Sequence, residues 1–303
     1  MKNFNLIILS AVSIIGSLSA KERLNKSYTN SFKNDKIESI IIQKNVSPNQ
    51  MINIAGKQRM LSQKIAKIYL MQAYGANLQS LKNELNTSKI IFDRNLETLI
   101  RNSGDMFSNK VTKAISKEKD TWNALKAIVS KPVSENNVNK VLDISNRLLK
   151  LSNDVVVNIK SENFDSNRFS TNVDLLNIID KSGKQRMLSQ RLCLFFVAKK
   201  FDLKNKNTSY RTNEILNKTY NELDASLIDL LNSELNSLDV EEAIGNALLS
   251  FENLRSQSEK FLSGKASLNI VYNTTNKLTK DFDYLTSKYS ALKAKNNNAL
   301  SNR

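Results

Sequence analysis

The chain has 303 residues, 40% of them hydrophobic, with 7 Gly, 2 Pro and a formal net charge of +16. That length suits two domains of about 125–150 residues, and so few chain breakers point to helices joined by short polar turns, an all-α protein. With no His and a single Cys, no Cys/His zinc set, no imidazole-based triad and no intramolecular disulfide can be assembled, so neither metal, cofactor nor catalysis is expected.

The basic residues are scattered along the chain and interleaved with Glu and Asp. This is the pattern of a solvated basic surface with some affinity for anions, and it argues against nucleic acid as a partner.

In chain order, residues 1–20 read as a signal peptide: Lys2, an apolar run from Leu6 to Leu18, then Ser17-Leu18-Ser19-Ala20. The 13 residues from Leu6 to Leu18 rise about 20 Å as a helix, short of the roughly 30 Å of a bilayer core. Export to a periplasm after cleavage is expected, with anchoring by an uncleaved N-terminal segment as the alternative. Residues 21–35 form a polar leader.

A long first helix is expected from about Lys36 to Tyr74, with an irregularity at Pro48, and the chain turns near Gly75. A second helix covers about Leu78 to Arg101 and ends at Asn102-Ser103-Gly104. The third covers about Met106 to Val129, with Trp122 in its core face, and stops at Lys131-Pro132. The fourth starts near Ser134 and runs to about Ile159. A polar linker, 161–170, leads into helices at about Thr171–Leu203, Ser209–Ser233, Leu238–Leu262 and Lys265–Leu292. The last residues, 293–303, read as a disordered tail.

The order repeats because the sequence does. Gly56-Lys57-Gln58-Arg59-Met60-Leu61-Ser62-Gln63 returns letter for letter as Gly183 to Gln190, 127 positions later. Further on, Trp122 to Leu125 falls on Phe251 to Leu254, and Val141 to Lys150 on Val271 to Lys280, with Asn146 matching Asn276. The expected architecture is two tandem up-down-up-down four-helix bundles, 36–160 and 171–292, paired side by side as a pseudo-dimer.

The first helix of each copy has two apolar faces. Ile54, Leu61, Ile65 and Ile68 form one stripe. Ile52, Gly56, Arg59, Gln63, Ala66 and Leu70 form another at the 4-3 rhythm of a helix–helix seam. The second copy repeats it with Ile179, Gly183, Arg186, Gln190, Cys193 and Val197. Arg in such a seam is permanently charged, and two of them meeting repel unless something neutralises them. Facing guanidiniums are a natural clamp for one small oxyanion, with Gln63 and Gln190 as further donors. The alternative is an Arg bonded to a Glu or Asp of its own bundle, locking helix packing only. Cys193, Met60, Met187, Trp122 and Phe251 read as packing residues.

Asn53 to Gln63 and Asp180 to Gln190 resemble the signature first helix of the type IV pili methyl-accepting chemotaxis transducer N-terminal domain (PilJ/NarX type). The resemblance implies periplasmic four-helix sensor bundles that pair in parallel. It also implies a ligand site at the interface, nitrate or nitrite in some members, formed by Arg59 and Arg186. Gly56 and Gly183 match the family's Gly, and Lys181 matches a Lys found in nitrate sensors, whereas Ile54 stands at the equivalent place in the first copy. The implied function is an exported small-anion sensor that signals through a membrane-bound histidine kinase or chemoreceptor. The alternative is a ligand-free helical interaction module of a chemotaxis, pilus or two-component system, and a homodimer is compatible with either.

Overall fold

A computed structural model describes residues 46–76, 78–165, 173–206 and 210–292. The signal peptide, polar leader, first ten residues of the expected first helix, residues 166–170 of the linker and the C-terminal tail lie outside the described residues.

Among the described residues there are nine α-helices and no strand: α1 Pro48–Ala73, α2 Gln79–Met106, α3 Asn109–Val129, α4 Val138–Asp165, α5 Val173–Lys204, α6 Tyr210–Leu231, α7 Leu238–Arg255, α8 Ser258–Leu262 and α9 Leu268–Ala291. The chain is all-α, as its composition implies.

Four helix ends differ from the sequence expectation, each for a local reason. Pro48 opens α1 and does not interrupt it. Ser47 caps the helix, its hydroxyl accepting from the Gln50 amide at 3.3 Å while the Gln50 side chain accepts from the Ser47 amide at 2.9 Å. A proline in the first turn has no helical bond to lose. α2 runs through Asn102-Ser103-Gly104 because Asn102 is turned inward: its amide donates to the Thr98 carbonyl at 2.8 Å and its oxygen accepts from Val46 N at 3.3 Å. The residue that reads as a stop signal clasps the entry to α1. α4 extends to Asp165, beyond Ile159, and the Glu162 carboxylate accepts from Ser108 N at 2.7 Å, capping α3 as well. The expected helix Leu238–Leu262 is broken at Ser256-Gln257 into α7 and α8. Gly75, at φ +110°, turns the chain after α1 in a conformation that side chains disfavour.

Packing follows the repeat. α1 lies against α2 and α4, and α3 closes the set by packing on both of those. In the second half α5 lies against α6 and α9, α7 packs on both, and the short α8 sits beside α6 and α7. Trp122 is fully buried, stacked on Phe92 with ring centroids 4.1 Å apart, and its indole N–H reaches Asp93 at 2.7 Å. Its counterpart Phe251 is buried beside Tyr220. Each such buried side chain contributes about 1.5–3 kcal/mol.

The broadest helix–helix contact in the molecule joins α1 to α5. Both helices are consequently buried almost all the way round, which explains why neither shows one dominant apolar face. Ile52, Ala66, Leu70, Ile179, Cys193 and Val197, all read as seam residues, are at most 1% exposed.

Candidate functional site

Gly56 and Gly183 face each other's helices at the centre of this contact. A Cβ built on Gly56 would stand 3.2 Å from Arg186 Nη2 and 3.4 Å from Arg59 Nη2. On Gly183 the same atoms would be 3.1 and 3.5 Å away. The missing side chains therefore make the room into which both guanidiniums fold. Arg59 and Arg186 converge, and both are buried, at 2% and 0% exposure.

Each guanidinium already holds a carboxylate of the chain. Arg59 Nη2 lies 2.8 Å from Asp180 Oδ1 and Arg186 Nη1 lies 2.6 Å from Asp283 Oδ1. The remaining bonds are related by the repeat. Arg59 Nη2 donates to the Asp180 carbonyl at 3.4 Å and Arg186 Nη2 to the Asn53 carbonyl at 3.3 Å. Arg59 Nη1 donates to Asn153 Oδ1 at 3.1 Å, from the position in α4 that Asp283 occupies in α9. Lysines of the first half close the arrangement: Lys160 pairs with Asp180 at 2.9 Å, and Lys57 with Asp283 at 3.7 Å. The Lys160 to Asp180 contact is itself matched across the repeat by Asn53 donating to Ser290 at 3.3 Å.

Burial pushes the Asp180 carboxyl up, but Arg59 and Lys160 more than reverse this and hold it below its ordinary value. Asp283 behaves alike: burial raises it, and Lys57 with Arg186 brings it below the usual carboxylate range. Both stay ionised at neutral pH. The mutual repulsion of the two Arg residues is thus relieved from within the chain, where the sequence suggested a guest anion.

The other expected site residues are placed differently. Gln63 donates to the Ser145 carbonyl at 3.2 Å and accepts from Arg191 at 2.7 Å, while Gln190 donates to Asn276 at 3.0 Å and Thr279 at 2.7 Å. Both bind the fourth helix of their own half and give no bond to the Arg pair. Lys181 forms an ion pair with Asp229 of α6 at 3.1 Å, along an open groove of about 610 Å³ that Asp180 and Lys160 also line.

A second buried polar layer lies further along the seam, and the sequence reading did not single it out. Lys67, fully buried, donates to Asn276 at 2.9 Å and lies 4.7 Å from the Tyr272 ring centroid. Tyr272 donates to Glu84 at 2.6 Å, and Lys64 pairs with Glu84 at 3.3 Å. Burial raises Glu84, yet Lys64 and Lys67 bring it below its ordinary value. On the other side Arg191 reaches from α5 to Asn146 at 2.8 Å, and burial lowers its guanidinium to about 10. Asn146 and Asn276, already matched by the repeat, are thus the acceptors for cations crossing the seam in both directions. A stride of seven residues from that pair leads to Asn153 and Asp283, the signal by which the Arg partners were findable. Among the described residues no group of three or more His, Cys, Asp or Glu is placed to hold a metal ion.

The fold and this seam define a class: an all-helical protein in which two equivalent helices meet through a buried, self-neutralised Arg pair. Residues 40–152 match the model of the PilJ family, described as type IV pili methyl-accepting chemotaxis transducer N-term. The matched span contains the first octapeptide; the second lies beyond it. No curated protein and no solved structure matches the chain. A PilJ domain is a sensory part of chemotaxis and pilus signalling, usually outside the cytoplasm, and not an enzymatic family. No helix among the described residues is long and apolar enough to cross a membrane.

Proposed function

We propose that the chain is an exported, ligand-independent helical signalling module of a chemotaxis, pilus or two-component system. In this reading the two halves make within one polypeptide the paired interface that separate sensor subunits make elsewhere. The module acts by docking on a membrane-bound chemoreceptor or histidine kinase. The observation that carries this reading is the engagement of Arg59 by Asp180 and of Arg186 by Asp283, which closes the seam without a solute.

A second reading, a sensor of nitrate, nitrite or a similar small anion, is favoured by one feature. Asp283 keeps 40% of its side-chain surface exposed while Arg186 beneath it has none, so a guest can reach the pair by displacing a carboxylate that returns to water. Calorimetry of the wild-type chain with a panel of small oxyanions separates the two. The module reading expects no saturable heat. Saturable heat that disappears in Arg59→Ala/Arg186→Ala would replace it with the sensor reading. Crosslinking in cells supplies the other half of the test: a chain that never contacts the named membrane partners is not their signalling module.

A further inference from the structure

The two halves close one end of their helices differently. Eight residues, 130–137, join α3 to α4, whereas twelve, 256–267, join α7 to α9 and include α8. In the second half this longer connection fills the end of the bundle. Phe261 is fully buried, its ring centroid 5.3 Å from that of Phe196 on α5 and 6.0 Å from that of Tyr220 on α6. Lys200 donates to the Gly264 carbonyl at 3.1 Å, and a Cβ on Gly264 would stand 2.9 Å from Lys199 Cγ. At the offset of the octapeptide, Lys199 and Lys200 answer to Gln72 and Ala73 of α1; at the offset of Trp122 and Phe251, Phe261 answers to Pro132. In the first half Gln72, Ala73 and Pro132 line an open cavity of about 520 Å³. The chain plugs one copy of this place and leaves the other accessible.

We propose that this cavity binds a small organic carboxylate that carries an apolar body and a hydrogen-bond donor. The site goes beyond the function proposed above: it lies about 20 Å along α1 from Arg59 and leaves the seam closed without a solute. Its volume falls in the range of small-molecule sites, roughly 300–1,000 Å³. Lys82, Lys89 and Lys131 line it against one acid, Glu135, which Lys204 of α5 already holds at 2.7 Å. Lys89 Nζ donates to Ser130, another lining residue, at 3.3 Å, which keeps the ammonium at the cavity wall. Burial and Lys126 hold Lys89 below its ordinary value against the pull of Asp93, so a carboxylate bound here favours its charged form. Leu85 and Val129, both buried, supply an apolar floor. Gln72 Oε1 is buried without a donor and can accept from an N–H or O–H of the ligand. Cations, floor and acceptor each match one part of the molecule proposed.

The probe is hippurate, which has a carboxylate, an amide N–H and a phenyl ring. It is titrated calorimetrically into the full chain at fixed ionic strength, beside its uncharged primary amide. Wild type is expected to bind hippurate saturably and at least about tenfold more tightly than the amide, the size of one charge-assisted bond. Lys82→Gln/Lys89→Gln/Lys131→Gln should weaken hippurate by at least about tenfold. Lys110→Gln/Lys113→Gln/Lys117→Gln removes the same charge from the exposed face of α3 and should change affinity by less than about twofold. Pro132→Phe, which gives the first half the residue of the second, should abolish binding. The proposal is overturned by a wild type that does not bind hippurate saturably or binds the amide equally well. It is also overturned if the two lysine triples weaken binding alike, or if a folded Pro132→Phe chain binds as wild type does. Should Pro132→Phe not fold, the lysine triples decide, since none of the six side chains they replace is buried. A ligand lodged in the seam, the way the module reading itself would fail, is told apart because its affinity ignores the cavity lysines; that outcome also removes the cavity.

Discussion

The two halves carry the same octapeptide and solve its electrostatic problem in different ways. Arg186 finds its carboxylate on the fourth helix of its own half, at Asp283, and takes a backbone carbonyl from across the seam. Arg59 finds an amide on its own fourth helix, at Asn153, and must cross the seam for its carboxylate, Asp180. Both Asp residues belong to the second half, and the lysines that back them, Lys57 and Lys160, belong to the first. A first half paired with a copy of itself would bring cations together without these counter-charges. Pairing with the second half satisfies both, so the difference specifies partner choice as well as stability.

The largest expected effect comes from deleting the Arg side chains. Arg186→Ala should cost about 3 kcal/mol, read from denaturant midpoints, because it opens a buried cavity and leaves Asp283 to Lys57 alone. Arg59→Ala should cost a similar amount and additionally loosen the halves from each other, visible as hydrogen exchange along α1 and α5. Equal exchange in the two variants would remove the distinction between an Arg held within its half and one held across the seam.

Next in size is a buried acid present in one half only. Glu118 is fully buried, with Ser152 donating to one oxygen at 2.5 Å, and burial raises it to about 7 despite that bond; the repeat places Ala247 opposite. A carboxyl whose folded pKa lies above its unfolded value binds extra protons in the folded state between the two. Stability therefore falls as pH rises from about 4.5 to about 7 and levels beyond. Glu118→Gln should abolish that slope and raise stability at pH 8 by about 2 kcal/mol.

Asp180 and Asp283 have the opposite sign. Their folded pKa values are depressed, so the stability they contribute is present above the ordinary Asp value and is lost as pH falls through the folded values. Wild type should lose melting temperature below about pH 4, and the Asp180→Asn/Asp283→Asn variant should lose less over the same window.

The smallest effect should be at Cys193, whose counterpart is Ala66. Burial pushes its thiol up to about 11 even with Lys67 nearby. The native chain should resist alkylation at pH 8 and react only on unfolding, while Cys193→Ala should change stability by about 1 kcal/mol or less.

Much of this was legible in the sequence. The octapeptide located α1 and α5, its 4-3 spacing located the face on which they meet, and a permanently charged group on that face announced a buried ionic layer. The carboxylates were harder to see because they are supplied by helices remote in sequence. Asp283 is 97 positions from Arg186 and Asp180 is 121 positions from Arg59. Lys67, Glu84 and Tyr272 were invisible for another reason: only the folded chain brings together residues as far apart as Glu84 and Tyr272, 188 positions, and no repeat marks them. Helix ends misread where a polar residue turned inward, as Asn102 did, since a stop signal and an inward clasp use the same side chain.

That last cluster has a consequence for how the two copies evolve. In a dimer of identical subunits every substitution at the interface appears twice, on both sides of the axis. Lys67, Glu84 and Tyr272 have no mirror image, and a single polypeptide permits this, because a change on α1 need not be tolerated on α5. The tether also supplies the encounter between halves at high local concentration, so association no longer selects for self-complementarity. Drift can then write a different message into each face of the joint.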